Sequence, residues 1–256
     1  MNINLDAQLS GQVFPFMLVF TRLGAGLMMF PGVGEAFVTP RARMMFALAL
    51  TFLLYPVLTP LIPAIPKQPA DLVQLVAMEA LVGIFFGSIM RLLVDIVETA
   101  GSLIAMDIGL SNAMILNPAL AAQSALTSVF LSTAAIALVF VTELDELLFR
   151  ALLDTYTVFP PGQTLPFGDL VQTFIQTMSK CFSIGVQLAS PFIVMGLLIY
   201  ATMGIMQRLM PQVQLFLVLL PVQIWGGFFV FSFTVAVILG LWLKVFDDIV
   251  ATLFIR

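Results

Sequence analysis

The sequence contains no histidine and one cysteine, and its charged residues are so few that three long stretches have none. Without histidine there is no Ser-His-Asp triad, no HExxH metalloprotease helix and no imidazole metal site. A lone cysteine, Cys181, excludes an internal disulfide, and its apolar neighbours suit a small inert hydrophobe. Asp, Glu, Lys and Arg together make up 9% of the 256 residues, against about 25% in ordinary soluble chains. The ten Lys and Arg residues are scattered singly apart from Arg41 and Arg43, so no basic patch is offered to nucleic acid. A Gly-rich phosphate loop, a repeat of fixed period and a low-complexity tail are also missing. The net charge of −4 says little about partners.

What is present is apolar: 61% of the residues are hydrophobic, and residues 108–142, 181–207 and 209–243 carry no formal charge. A membrane-crossing helix needs roughly 20 mainly apolar residues, so each run is long enough. Backbone polar groups in lipid must be satisfied within the chain, which leaves helices or a closed barrel. Barrel strands alternate apolar and polar residues, whereas residues 216–243 form a solid block, FLVLLPVQIWGGFFVFSFTVAVILGLWL. The expected fold is an all-α membrane protein. The opening MNINLDAQLSGQ has no basic segment and no early cleavage motif, so the apolar run from Val13 is expected to direct insertion itself.

Six apolar helical blocks are expected, at about 11–30, 44–61, 72–93 with a continuation to 105, 119–141, 174–206 and 215–245. The second is expected to be broken by Pro56 and Pro60 and followed by the linker PLIPAIPKQP. TVFPPGQTLPFGD reads as another linker, and residues 107–118, with Gly109, Ser111, Asn112, Asn117 and Pro118, read as a loop. Arg41, Arg43, Arg91, Arg150, Lys180, Arg208 and Lys244 are spread too evenly to orient the chain by the positive-inside rule, which suggests that protein partners hold some of the helices.

Four constellations stand out. Glu79, Arg91, Asp95, Glu98 and Asp107 make the one charged apolar region, and Arg91 and Asp95 are spaced i, i+4 for pairing. Ionisable groups in membrane segments mark ion relays or pore linings. The competing reading is a helix partly outside the bilayer, or packed on partner subunits, with its charges solvated or paired. Gly83 and Gly87 form a GxxxG that permits close helix approach, and Glu79 lies one turn before Gly83 on the same face. Met203, Met206 and Met210 recur at helical spacing beside Gln207 and Arg208; flexible methionines suit a pore seal or ordinary packing. Glu143, Asp145 and Glu146 offer oxygens to a hard cation but lack a Gly turn and further ligands, so a solvated loop is the better expectation.

The order of several blocks resembles the FliR family, the flagellar members of the type III secretion export gate. PGVGEAFVTPRARMMFALALTFLLYP carries the Pro/Gly connector, Pro40, Arg41, Arg43 and an Ala/Leu helix ending at Pro56. MEALVGIFFGSI carries Glu79, Gly83 and Gly87. AGSLIAMDIGLSNAMILNP carries Gly101, Gly109, Leu110, Ser111 and Asn117-Pro118. SPFIVMGLLIYATMGIMQRLMPQVQLFLVLLPVQIWGG carries Pro191, Gly204, Arg208, Pro211-Gln212, Phe216, Pro221 and Gly226. Two positions depart from the family pattern: Gln223 stands where Lys is frequent, and residues 212–216 lack a frequent Asn.

The resemblance implies a non-enzymatic protein without cofactor or metal, in the bacterial inner membrane at the flagellar basal body. It implies assembly with FliP-like and FliQ-like subunits and an FlhB-like switch protein into a channel for unfolded flagellar substrates. It further implies a FliP-like part at about 1–170, a FliQ-like part at about 171–256, and kinked, tilted hairpins raised partly out of the bilayer plane. A plug loop is implied at 106–122, through Met106, Ile108, Gly109, Leu110, Ser111, Asn112, Met114, Asn117 and Pro118. Helix packing or subunit interfaces are implied at Glu79, Gly83, Gly87, Arg91, Asp95, Arg208, Pro211 and Gln212. The alternative from another class is a small ion-coupled transporter using Glu79, Asp95, Glu98 and Asp107; it lacks the internal repeat common in that class.

Overall fold

The computed structural model describes residues 5–110, 126–209 and 215–254. All the regular structure among them is helical: α1 (Leu5–Leu27), α2 (Pro40–Leu58) with a short 3-10 turn (Thr59–Leu61), α3 (Pro69–Asp107), α4 (Leu126–Val141), α5 (Leu144–Val158), α6 (Phe167–Leu209) and α7 (Leu215–Phe254). Four of these, α2, α3, α6 and α7, are long and apolar enough to cross a membrane, and α4 with α5 can supply a fifth, broken span. The fold is that of an all-α membrane protein.

Local sequence accounts for the ends of these helices. Thr39 caps α2 by accepting a hydrogen bond from the Ala42 amide at 3.4 Å, and Pro40 occupies the first helical position, where a missing N–H costs nothing. Pro56 does not break α2, contrary to the sequence expectation. It lies inside the helix, and the Thr59 hydroxyl donates to the Tyr55 carbonyl at 2.6 Å just after it. The break comes at Pro60, in the 3-10 turn. Pro191 and Pro221 likewise lie inside α6 and α7. In an apolar medium a helix keeps its remaining ladder bonds even where proline removes one.

A seventh helix, α5, stands where the sequence suggested an acidic loop. It buries Leu148, Ala151, Leu152, Thr155 and Tyr156, an i, i+3, i+4, i+7, i+8 stripe. It follows a sharp turn at Glu143, whose φ of 59° is the one positive value at a non-glycine position among the described residues.

Contacts divide the chain into two compact units. The first comprises Met1–Leu92, Phe140–Thr177 and Ile249–Arg256; the second comprises Leu93–Val139 and Met178–Asp248. In the first, Leu18, Val19 and Leu23 of α1 and Val82, Phe86 and Met90 of α3 are all buried, and Phe30 stacks on Phe149 with ring centroids 4.8 Å apart. In the second, Leu93, Val94, Val97, Ala100 and Ile104 of α3 form the core with Phe192, Trp242 and Phe246. Glycines set the closest approaches there. A methyl on Gly101 would stand 2.5 Å from the Ser128 Cα of α4, and one on Gly185 of α6 would stand 2.9 Å from the Ile96 carbonyl oxygen.

Candidate functional site

Two constellations of buried polar groups stand out among the described residues, one in each unit. The first begins with Arg22, the lone charged residue between Asp6 and Glu35. An isolated guanidinium in an apolar helix demands a partner. The first unit supplies Glu79, the lone charge of residues 72–90. Arg22 Nε donates to Glu79 Oε2 at 2.6 Å and Nη2 to Oε1 at 2.9 Å, a bidentate fork. Nη1 donates to the Thr155 carbonyl at 3.0 Å and Nη2 also to the Phe159 carbonyl at 2.9 Å. Both carbonyls belong to the C-terminal end of α5, where the helix dipole favours a cation. The Tyr156 ring lies 4.2 Å from the guanidinium carbon, within cation–π range. Arg22 and Glu79 are 1% and 2% exposed. One arginine thus ties α1, α3 and α5 together.

Gly83 and Gly87 make that approach possible. A methyl on Gly83 would collide with the Arg22 carbonyl oxygen, and one on Gly87 would stand 2.6 Å from the Gly26 carbonyl oxygen. Arg91 pairs with Glu35 of the Pro/Gly connector at 2.5 Å, a partner that the i, i+4 spacing with Asp95 did not suggest. Arg43 donates to the backbone carbonyl of Glu35 as well, so two arginines brace the connector. Asp95 is half-buried in the second unit, and Arg208 is exposed near the end of α6.

The second constellation is the end of α3. Gln223 of α7, 3% exposed, donates from Nε2 to the Asp107 carbonyl at 2.7 Å. Ile108 is fully buried and lies against Gly227. Gly109 has φ 89°, a left-handed conformation that favours glycine. Met106 is exposed and Leu110 half-buried. The remaining plug residues, Ser111, Asn112, Met114, Asn117 and Pro118, lie outside the described residues, as do Met210, Pro211 and Gln212. Of the methionine stripe, Met203 is buried and Met206 half-buried. In the acidic cluster, Glu146 pairs with Arg150 one turn on, and no group of three His, Cys, Asp or Glu among the described residues is placed to hold a metal ion.

Sequence reasoning placed Glu79 but missed Arg22 as its partner. The available signal was elimination, since each is the lone charge in its apolar block. Nothing in the sequence signalled the contact of Tyr156 with Arg22 or of Gln223 with Asp107.

Residues 13–249 match the profile of bacterial export proteins, family 1. The chain is 35% identical to the flagellar biosynthetic protein FliR of Caulobacter vibrioides over 90% of its own length and 92% of the relative's. It is 29% identical to FliR of Bacillus subtilis over 94% of each chain. It is 24% identical to the Yop proteins translocation protein T of Yersinia pestis over 63% and 65%. The chain belongs to family 1 of the bacterial export proteins, the family of the flagellar protein FliR.

Proposed function

We propose that this chain is a non-enzymatic component of the flagellar type III export gate, built with FliP-like and FliQ-like subunits and an FlhB-like switch protein in the bacterial inner membrane at the basal body. Unfolded flagellar proteins pass through the resulting channel. The observation that carries the reading is helix length beyond what a bilayer core spans, with little of the apolar surface of α6 and α7 covered within the chain. The candidate spans of α3, α6 and α7 run for 39, 43 and 34 residues, or about 50–65 Å at ~1.5 Å per residue, whereas the hydrocarbon core is about 30 Å thick. Yet only 17% of the most apolar part of α7 and 28% of that of α6 is buried within the chain. Protein partners cover the excess. The FliP-like part is about residues 1–170 and the FliQ-like part about 171–256. Residues 106–122 plug the resting channel.

The transporter alternative loses its foremost carboxylate, because both oxygens of Glu79 are engaged by Arg22. Purification of the tagged chain in mild detergent tests the assembly. Co-purification of FliP-like and FliQ-like subunits is the expected result; a homodimer alone favours the transporter. For the plug, shortening residues 106–122 is expected to leave the complex assembled and the membrane leaky to ions. An assembled, shortened complex with wild-type conductance reduces the segment to a linker.

A further inference from the structure

The C-terminal end of a helix leaves its last four carbonyls without intrahelical donors. At the end of α3 three of these are accounted for. Ile104 O accepts from the Ile108 amide at 2.9 Å, Met106 O from the Gly109 amide at 3.1 Å, and Asp107 O from Gln223 Nε2 at 2.7 Å. The third bond comes from another helix and reaches across 116 residues of sequence. A buried carboxamide in so apolar a helix is costly unless bonded, so the position of Gln223 is tied to this carbonyl.

Two further contacts share the same stretch of α7. Gly227 is one turn after Gln223 and therefore on the same face. A methyl there would stand 2.6 Å from Ile108 Cγ1, so the glycine forms the notch in which Ile108 sits. A methyl on Gly109 would stand 3.2 Å from Gln223 Cδ, so the carboxamide lies against the left-handed glycine. From α6, Gly196 leaves room for the Asp107 carboxylate, whose Oδ1 would be 2.7 Å from an added methyl. Three successive residues, 107 to 109, are each fitted to a neighbouring helix.

We infer that Gln223 is a positioning residue for the export gate: its carboxamide latches the end of α3 and fixes the point from which the following segment leaves. The latch is geometric and local. Its consequence for conduction rests on the gate reading above. A single neutral hydrogen bond fits such a task, because it holds the helix end in place at rest and is small enough to be exchanged.

The test uses the full assembled complex with a single cysteine at Leu110, introduced in a Cys181→Ser background and labelled with a water-soluble maleimide. Gln223→Leu keeps the side-chain volume but removes the donor. Labelling is expected to rise about fivefold, the population change that follows loss of one ordinary hydrogen bond, with subunit co-purification unchanged and resting ion leak increased. Gln223→Lys restores a donor and is expected to stay within about twofold of wild type. Gly109→Ala opposes the same contact through φ and space, and is expected to raise labelling like Gln223→Leu. Unchanged labelling in assembled Gln223→Leu overturns the latch, and so does loss of assembly in that variant, which would make the residue merely structural. Raised labelling without leak keeps the latch and removes the plug reading. Leak on shortening residues 106–122, with labelling unchanged in Gln223→Leu, keeps the plug and removes the latch.

Discussion

In the first unit, the largest buried set of cross-helix polar contacts centres on one cation. Arg22 gives four hydrogen bonds, two to Glu79 and two to carbonyls of α5. In the second unit three neutral donors reach carbonyls of α3 from elsewhere in the chain. Trp242 Nε1 donates to the Leu93 carbonyl at 2.7 Å, Gln223 to Asp107, and Thr127 to the Gly101 carbonyl at 2.8 Å. α3 contributes to both units, so the same helix is held in two ways. A bidentate ionic fork fixes distance and rotation together and leaves an uncompensated charge when broken. A neutral donor fixes one point, and its loss leaves the helix ladder nearly intact. The ionic fork is therefore a fixed frame for the first unit, the three neutral contacts named in the second are adjustable, and the segment proposed as plug leaves from the second.

The largest break in this comparison is Glu79→Gln. It strands a guanidinium in an apolar interior, and breaking a buried pair by removing one partner costs about 3–5 kcal/mol. The expected outcome is severe loss of the chain from membranes that contain the full partner set, read by quantitative immunoblot. The double change Arg22→Met with Glu79→Leu removes both charges and is expected to recover most of the lost chain. Failure of the double change to improve on the single one would mean that the frame depends on the α5 carbonyl contacts rather than on the ion pair.

A smaller effect is expected in the second unit. Trp242→Phe removes the donor to the Leu93 carbonyl, while that carbonyl lies within α3, where the helix ladder reaches it. The lost hydrogen bond is worth about 0.5–1.5 kcal/mol, and the smaller ring adds a packing deficit in a fully buried site. A lowered thermal midpoint of the purified assembly, with the chain retained in membranes, is the expected result. Loss comparable to Glu79→Gln would erase the distinction between frame and adjustable contacts.

Much of the fold was legible because hydropathy reports long apolar helices directly. The extension of α3 past Asp95 and Glu98 was readable from its uninterrupted pattern, and its end at Asp107 matches the loop-like composition that follows. α5 was not readable by hydropathy, since Asp145, Glu146, Arg150 and Asp154 give it a polar face; its stripe of Leu148, Ala151, Leu152, Thr155 and Tyr156 was the readable signal. Pro56 misled because the rule that proline ends helices comes from water, where freed carbonyls find other partners. Of the site, Glu79, Gly83 and Gly87 were legible as a polar contact beside a close approach. Their partners Arg22 and Gly26 lie more than fifty residues away, and one sequence gives no pairing at that range. Arg91 shows the same limit: its contact with Glu35 of the connector spans 56 residues, and local spacing does not report it.

The smallest expected effect sharpens the comparison from within the first unit. Glu35 and Arg91 are also an ion pair between a connector and α3, and at 2.5 Å they are as close as Arg22 and Glu79. Their side chains are 14% and 34% exposed, against 2% and 1% for Glu79 and Arg22. Partial exposure lets the surroundings compensate a stranded charge, so this pair contributes less than a fully buried one. Glu35→Gln also keeps the backbone carbonyl that Arg43 uses, and with it one of the two braces on the connector. Glu35→Gln is therefore expected to leave the chain in the membrane and shift the thermal midpoint of the assembly less than Trp242→Phe does. Burial, rather than charge or distance, would then be what separates the frame from the rest. A Glu35→Gln effect as large as that of Glu79→Gln would show instead that the connector is part of the frame.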